Sequence, residues 1–437
     1  LPSSLQILPE THTLGQIHPH SLVIELDVAS KPVLLASLNG EIDNQPAQIF
    51  AHELCHWADI LGTVWGQQYL DNVFSALDCL SSNSKDPINC YSSALNLFDR
   101  DRAILFPTYY KVIDPTATPT TATQPWQISC SAGAWIDTMG KLDESNPIFF
   151  VRFHGADGAQ IARQPLSVGA LLELRATAAE IATFNEWAER RPSGERVVSE
   201  ILFRQERIAI LYDPKFTTYS AAAHLLANCT SQSDLVSVCR LGASLADLCL
   251  NVTSEAFASL RTPAIFDTFT PSRLSGFRRT QNRGYLFACL SYHARTSSFR
   301  SSDADNIASL TERAGIGTPP EIYSKAIRFL EQRRKPSLNN ANLRRIREDF
   351  QQMGSMIMKW RADRLDYTSS AKEHIEANLP SPLVITNDCE EMNVTDLGIS
   401  SVDSHLLYSL DARVRELTRS ALRAGRGLDF GFSDYVY

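Results

Sequence analysis

His52-Glu53-Leu54-Cys55-His56 combines residue types and spacing that could activate water. A helix advances about 100° per residue, so positions i and i+4 share a face, and the two imidazoles can direct ring nitrogens to one ion. Zinc held there would lower the pKa of a water molecule to about 7. Glu53, beside the open coordination position, would accept that proton and later pass it to a leaving group. The chemistry expected is metal-assisted hydrolysis.

The flanking residues predict the element that positions them. Asp43-Asn44-Gln45-Pro46 reads as a helix start, with proline tolerated in the first turn, and Gly62-Thr63 as its stop. Phe50, Leu54, Trp57 and Leu61 recur at helical spacing, while His52, His56 and Asp59 lie largely on another face. The helix is therefore expected to be buried on one side and to present its ligands on the other. Upstream, Leu22 to Val28 and Val33 to Leu38 are β-prone runs that predict a hairpin. Downstream, Trp65 to Leu80 continues as a second apolar helix.

A catalytic zinc takes three protein ligands and leaves one position for water. Gly62 stands six residues after His56, where a metzincin supplies its third ligand, so that class is disfavoured. The stretch Trp57 to Asn89 contains no glutamate, which removes the short-spaced gluzincin solution and leaves Asp78 as one alternative ligand. A better candidate is Glu173, set among Leu171, Leu172, Leu174 and small alanines. A carboxylate on so apolar a helix needs a partner, either a metal ion or Arg175. Glu180, two turns further on, could orient a histidine.

On His52, Glu53 and His56 the chain resembles the zincin superfamily of zinc metallopeptidases, in particular gluzincin-like members. The continuation His-Trp-x-Asp-x-x-Gly-Thr and the distant Leu-Leu-Glu-x-x-Ala segment also resemble microbial zincin-like proteins. The departure is spacing: Glu173 lies far beyond the usual interval, which requires an insertion over roughly 80–165. The resemblance implies Zn2+ as cofactor, a peptide or protein substrate, Glu53 as general base, and an edge strand over the metal helix. Asp59 is expected to support the site by a hydrogen bond, or to be an ordinary helical acid. His154 is a transition-state donor or a plain loop histidine. Tyr212 and Tyr219 are oxyanion stabilisers or core residues.

A chain of 437 residues, 44% hydrophobic, can bury at least two cores. The expected class is an α-rich α+β fold: a zincin-like metal-binding domain over 1–240, then a mainly helical domain over 241–437. Pro147 to Phe153 and Gln160 to Pro165 read as strands around the turn Gly155 to Gly158, followed by a helix from Val168 to Arg190. Asp114 to Pro125 reads as a loop or boundary; Asn339 to Leu365 and Val402 to Ala424 read as amphipathic helices.

A net charge of −8 argues against a protein built mainly to coat nucleic acid. Pro271 to Arg300 is the local exception, with Arg273, Arg278, Arg279, Arg283, Arg295 and Arg300 among five aromatics and no acid. That composition suits nucleic acid, an interdomain or protein contact, or arginine stems over a core. The helical domain could also bind a regulatory protein or a second copy. Nine cysteines without a Cys-x-x-Cys pair suggest reduced thiols and a cytoplasmic protein, and no apolar run approaches a membrane span. The rival readings are an inactive zincin-fold scaffold and a nucleic-acid-associated effector.

Overall fold

The computed structural model describes residues 14–81, 92–98, 101, 110–114, 125–136, 141–295, 303–333, 336–364 and 369–426. It is α-rich with two four-stranded sheets, and divides into two compact units that are each discontinuous in sequence. The first comprises 1–102, 333–357 and 370–437, the second 103–332 and 358–369. The boundary expected at 240 falls inside a helix of the second unit, Leu235–Asn251. No helix among the described residues is long and apolar enough to cross a membrane.

The first unit opens with β1 (Gly15–Ile17) and β2 (Ile24–Leu26), an antiparallel pair. Strand β2 pairs in parallel with Val384–Thr386, which in turn pairs with Glu391–Met392, so β1 is an edge strand. The second run of the expected hairpin is instead helix α1 (Lys31–Leu38). Pro32 in its first turn fixes a helical φ and could donate nothing to a ladder, and after Val33 the run holds leucines, Ala36 and Ser37 rather than β-branched residues.

Helix α2 (Gln45–Leu61) starts after Asn44 and stops at Gly62, as the local signals predict. Helix α3 (Val64–Ser81) follows after a corner so tight that a Cβ on Gly66 would stand 2.1 Å from the Ile60 carbonyl oxygen. Against α3 lies the long helix Ala341–Ala362, through Phe350 on Phe74 and through Arg347 on Asp71 at 2.7 Å. The helix Ser401–Arg426 packs on α3 as well.

The second unit is built on a sheet of order β3-β6-β5-β4, all antiparallel: β3 (Val112–Ile113), β4 (Gln127–Ile136), β5 (Leu142–His154) and β6 (Gln160–Pro165). Most of the expected loop before β4, residues 115–124, lies outside the described residues. One face of β5 carries Phe149, which meets Phe266, Phe277 and Tyr285, and Phe153, which meets Trp126 and His224.

Helix α4 (Val168–Glu189) is capped by Ser167 Oγ and packs against Thr217–Thr230 and Leu235–Asn251. Helix α5 (Ser193–Leu211) begins directly after Pro192, just beyond the expected helix end at Arg190. Buried Asp247 binds Arg175 at 3.1 Å and Arg361 at 3.2 Å, so that one carboxylate is shared by two guanidiniums.

In the arginine-rich stretch Arg283 is buried, Arg273 and Arg278 are half-buried, and Arg279 and Arg295 are exposed. Arg273 donates to the Ala132 carbonyl, Arg278 to that of Leu260, Arg279 to that of Ser145, and buried Arg283 to those of Cys249 and Val252. The last two close the carbonyl end of Leu235–Asn251, where a cation suits the helix dipole. Phe277, Tyr285 and Phe287 are fully buried. Arg300 and Phe299 lie outside the described residues.

Candidate metal centre

On α2 the Nε2 atoms of His52 and His56 face each other at 3.0 Å, with the rings edge to face. Two ligands about 2.0–2.1 Å from a tetrahedral ion stand about 3.3 Å apart, so the observed separation suits two nitrogens aimed at one centre. Glu53, between them in sequence, is only 7% exposed. The helix is buried more completely than the sequence pattern implies. From Phe50 to Leu61 only His52 and Cys55 are partly exposed, because residues on both faces are covered.

Strand β1 packs on α2 and reaches the neighbourhood of Glu53: a Cβ on Gly15 would stand 2.7 Å from Ile49 Cγ2 and 3.5 Å from Glu53 Cγ. Glycine here lets an edge strand approach the carboxylate-bearing turn closely. This contact was not legible in the sequence. The only signal was a lone glycine beside a short β-prone run.

Glu173 sits in the second turn of α4. Glu173 belongs to the second unit, whereas His52 and His56 belong to the first. Two imidazole nitrogens and a carboxylate oxygen are a donor set of catalytic zinc. Arg175, the other expected partner of Glu173, holds the Ala243 carbonyl at 3.0 Å as well as Asp247. Two residues apart on a helix, the side chains of Glu173 and Arg175 point about 200° from each other.

The remaining candidates are distributed as follows. Asp59 is completely buried one turn after His56, with Cys55 Sγ at 3.9 Å from its carboxylate. Glu180 pairs with Arg207 of α5, and with Tyr219 lines a cleft of about 150 Å³. His154 ends β5, with Nε2 2.8 Å from Ser129 Oγ and Nδ1 3.3 Å from the Gly158 carbonyl. Tyr212 packs on Trp126 and His224. Asp78 accepts from the backbone amides of Asn339 and Asn340 at 2.9 and 2.7 Å, at the start of Ala341–Ala362. Asp78→Ala is expected to cost about 2 kcal/mol in chemical denaturation, as a lost helix-terminus acceptor does, and to leave metal content unchanged. A loss of bound metal in this variant would restore Asp78 as a ligand.

Comparison with protein-family models, with curated proteins and with solved structures finds no match.

Proposed function

We propose that this chain is a zinc-dependent peptidase in which His52, His56 and Glu173 hold the metal and Glu53 is the general base. The observation that carries the proposal is the pair of facing Nε2 atoms on α2, 3.0 Å apart, with buried Glu53 in the same turn. Bound zinc supplies Lewis acidity and lowers the pKa of water toward neutrality. Glu53 accepts the proton and returns it to the departing amine, and its burial keeps that exchange away from bulk solvent. Strand β1 supports a peptide substrate. As an edge strand it has backbone groups to pair with an extended chain, and Gly15 brings that edge against Glu53.

Zinc content tests the proposal. The purified chain is expected to carry one zinc, measured by inductively coupled plasma mass spectrometry, and His52→Ala to carry none. Glu173→Gln is expected to weaken retention by about a hundred-fold or more, beyond the 10–100-fold of an outer-shell partner. A native protein free of metal, and unable to take up zinc, sinks the proposal. A Glu173→Gln protein with native zinc affinity removes Glu173 from it.

A further inference from the structure

Strands β5 and β6 set two arginines directly opposite each other, Arg152 in register with Arg163. Opposed residues of an antiparallel pair have Cβ atoms about 5 Å apart on one face, and like charges there repel. The cross-strand row continues to Ser129 on β4, opposite Arg152, and to Val112 on β3, opposite Arg163. Alternation along β5 puts Arg152 on the face of Phe150 and His154, away from the core side of Phe149, Val151 and Phe153.

Among the described residues, neither guanidinium has a carboxylate at ion-pair distance, in a chain whose net charge is −8. Arg163 lies over the Phe150 ring at 4.7 Å and reaches the Tyr110 carbonyl only at 3.5 Å, the outer limit of a hydrogen bond. The Nε of each arginine is shut off from water without a partner. Burial lowers the Arg163 pKa, and the charge of Arg152 lowers it further. Two donors withdrawn from solvent and two unneutralised charges side by side are stabilised together by one anion.

We propose that Arg152 and Arg163 bind a phosphate dianion, as inorganic phosphate or as a phosphomonoester, with Ser129 as a neighbouring hydroxyl. A phosphate monoester carries about −1.5 to −2 charges at neutral pH, which matches two guanidiniums; a carboxylate or a single phosphodiester supplies one. Its oxygens also fit the guanidinium fork, which accounts for two arginines rather than lysines. The site is independent of the metal centre.

Calorimetric titration of the full chain with inorganic phosphate, phenyl phosphate and a 12-nucleotide single strand tests this. Saturable phosphate binding is expected, weakened at least ten-fold in Arg152→Gln and in Arg163→Gln and less in Arg163→Lys. Equal affinities for the first two ligands assign free phosphate; tighter phenyl phosphate assigns the ester. Without phosphate the glutamine variants are expected to melt no lower than the native chain, since removing one opposed charge relieves repulsion, and phosphate should no longer raise their Tm. A merely structural pair predicts the reverse, with lower melting and native Tm values indifferent to phosphate. The proposal is overturned by that pattern, by equal heats in native and variant proteins, or by an oligonucleotide that binds more tightly than both phosphates through the same arginines.

Discussion

Glu53→Gln is expected to keep its zinc and to lose peptide hydrolysis by about 10²–10⁴-fold, the contribution of a positioned general base. Glutamine preserves the volume of a side chain that is packed in α2 and approached by Gly15, so the fold and the two histidines should be undisturbed. What disappears is the carboxylate able to take a proton. The expected signature is a fall in kcat with KM nearly unchanged, since the residue acts on the water and not on the substrate's binding groups. Turnover of a quenched fluorescent peptide library by the native chain and by the variant, each with measured zinc content, makes the comparison. Hydrolysis at the native rate by the variant would exclude Glu53 as base. Zinc-replete native protein that cleaves no peptide would point to the scaffold reading.

The second large effect is expected at His20, remote in sequence from the motif. Its Nδ1 lies 2.6 Å from Asp411 and its Nε2 2.7 Å from Asp101, all three buried. Tyr69 donates to Asp101 at 2.8 Å, and Arg415 binds Asp411 at 2.6 Å and approaches His18 Nδ1 at 3.2 Å. Burial pulls the His20 pKa down, but the charges and hydrogen bonds of Asp101 and Asp411 outweigh it and hold it at about 10. Burial alone would raise Asp411, yet its bonds to His20 and the charge of Arg415 keep it below the usual carboxylate range.

A raised folded-state pKa means that folding takes up a proton. The stabilisation by His20 is complete below its unfolded value near 6.5 and is lost as pH rises through about 10. Asp411 acts in the opposite direction, with stability present above the ordinary aspartate pKa and lost as acid protonates it. His20→Gln should cost on the order of 3–5 kcal/mol near pH 6.5, because two buried carboxylates lose their shared cation. The difference from the native chain in urea denaturation should shrink toward zero above pH 10. A gap that stays constant from pH 6.5 to pH 10 would show that His20 is not held as a cation.

What could be seen in the sequence was local. Pro46 and Gly62 bracket α2, and Pro192 follows the end of α4, because caps and breakers act over one turn. Val33 to Leu38 misled because a short apolar run fits strand and helix alike, and Pro32 was the residue to weigh. Glu173 could be singled out from its apolar neighbours alone. Asp78 could not be understood, since its partners Asn339 and Asn340 come roughly 260 residues later. Arg283 could not be distinguished from a surface arginine until the carbonyls it closes were placed by folding. The like-charged neighbours Arg152 and Arg163 depend on strand register, which no single strand contains.

The parallel pairing of β2 with Val384–Thr386 has a consequence for biosynthesis. After Ile24 is added, roughly 360 residues must follow before its neighbour exists, about 20–70 s at typical elongation rates. The histidine-bearing helix belongs to that late-closing unit, whereas most of the other unit's residues lie in one unbroken run, 103–332, and emerge earlier. A nascent chain interrupted before Val384 therefore carries the entire His-Glu-x-x-His segment without the sheet that completes its surroundings. The order of synthesis itself defers the motif's full setting until Val384–Thr386 has been made.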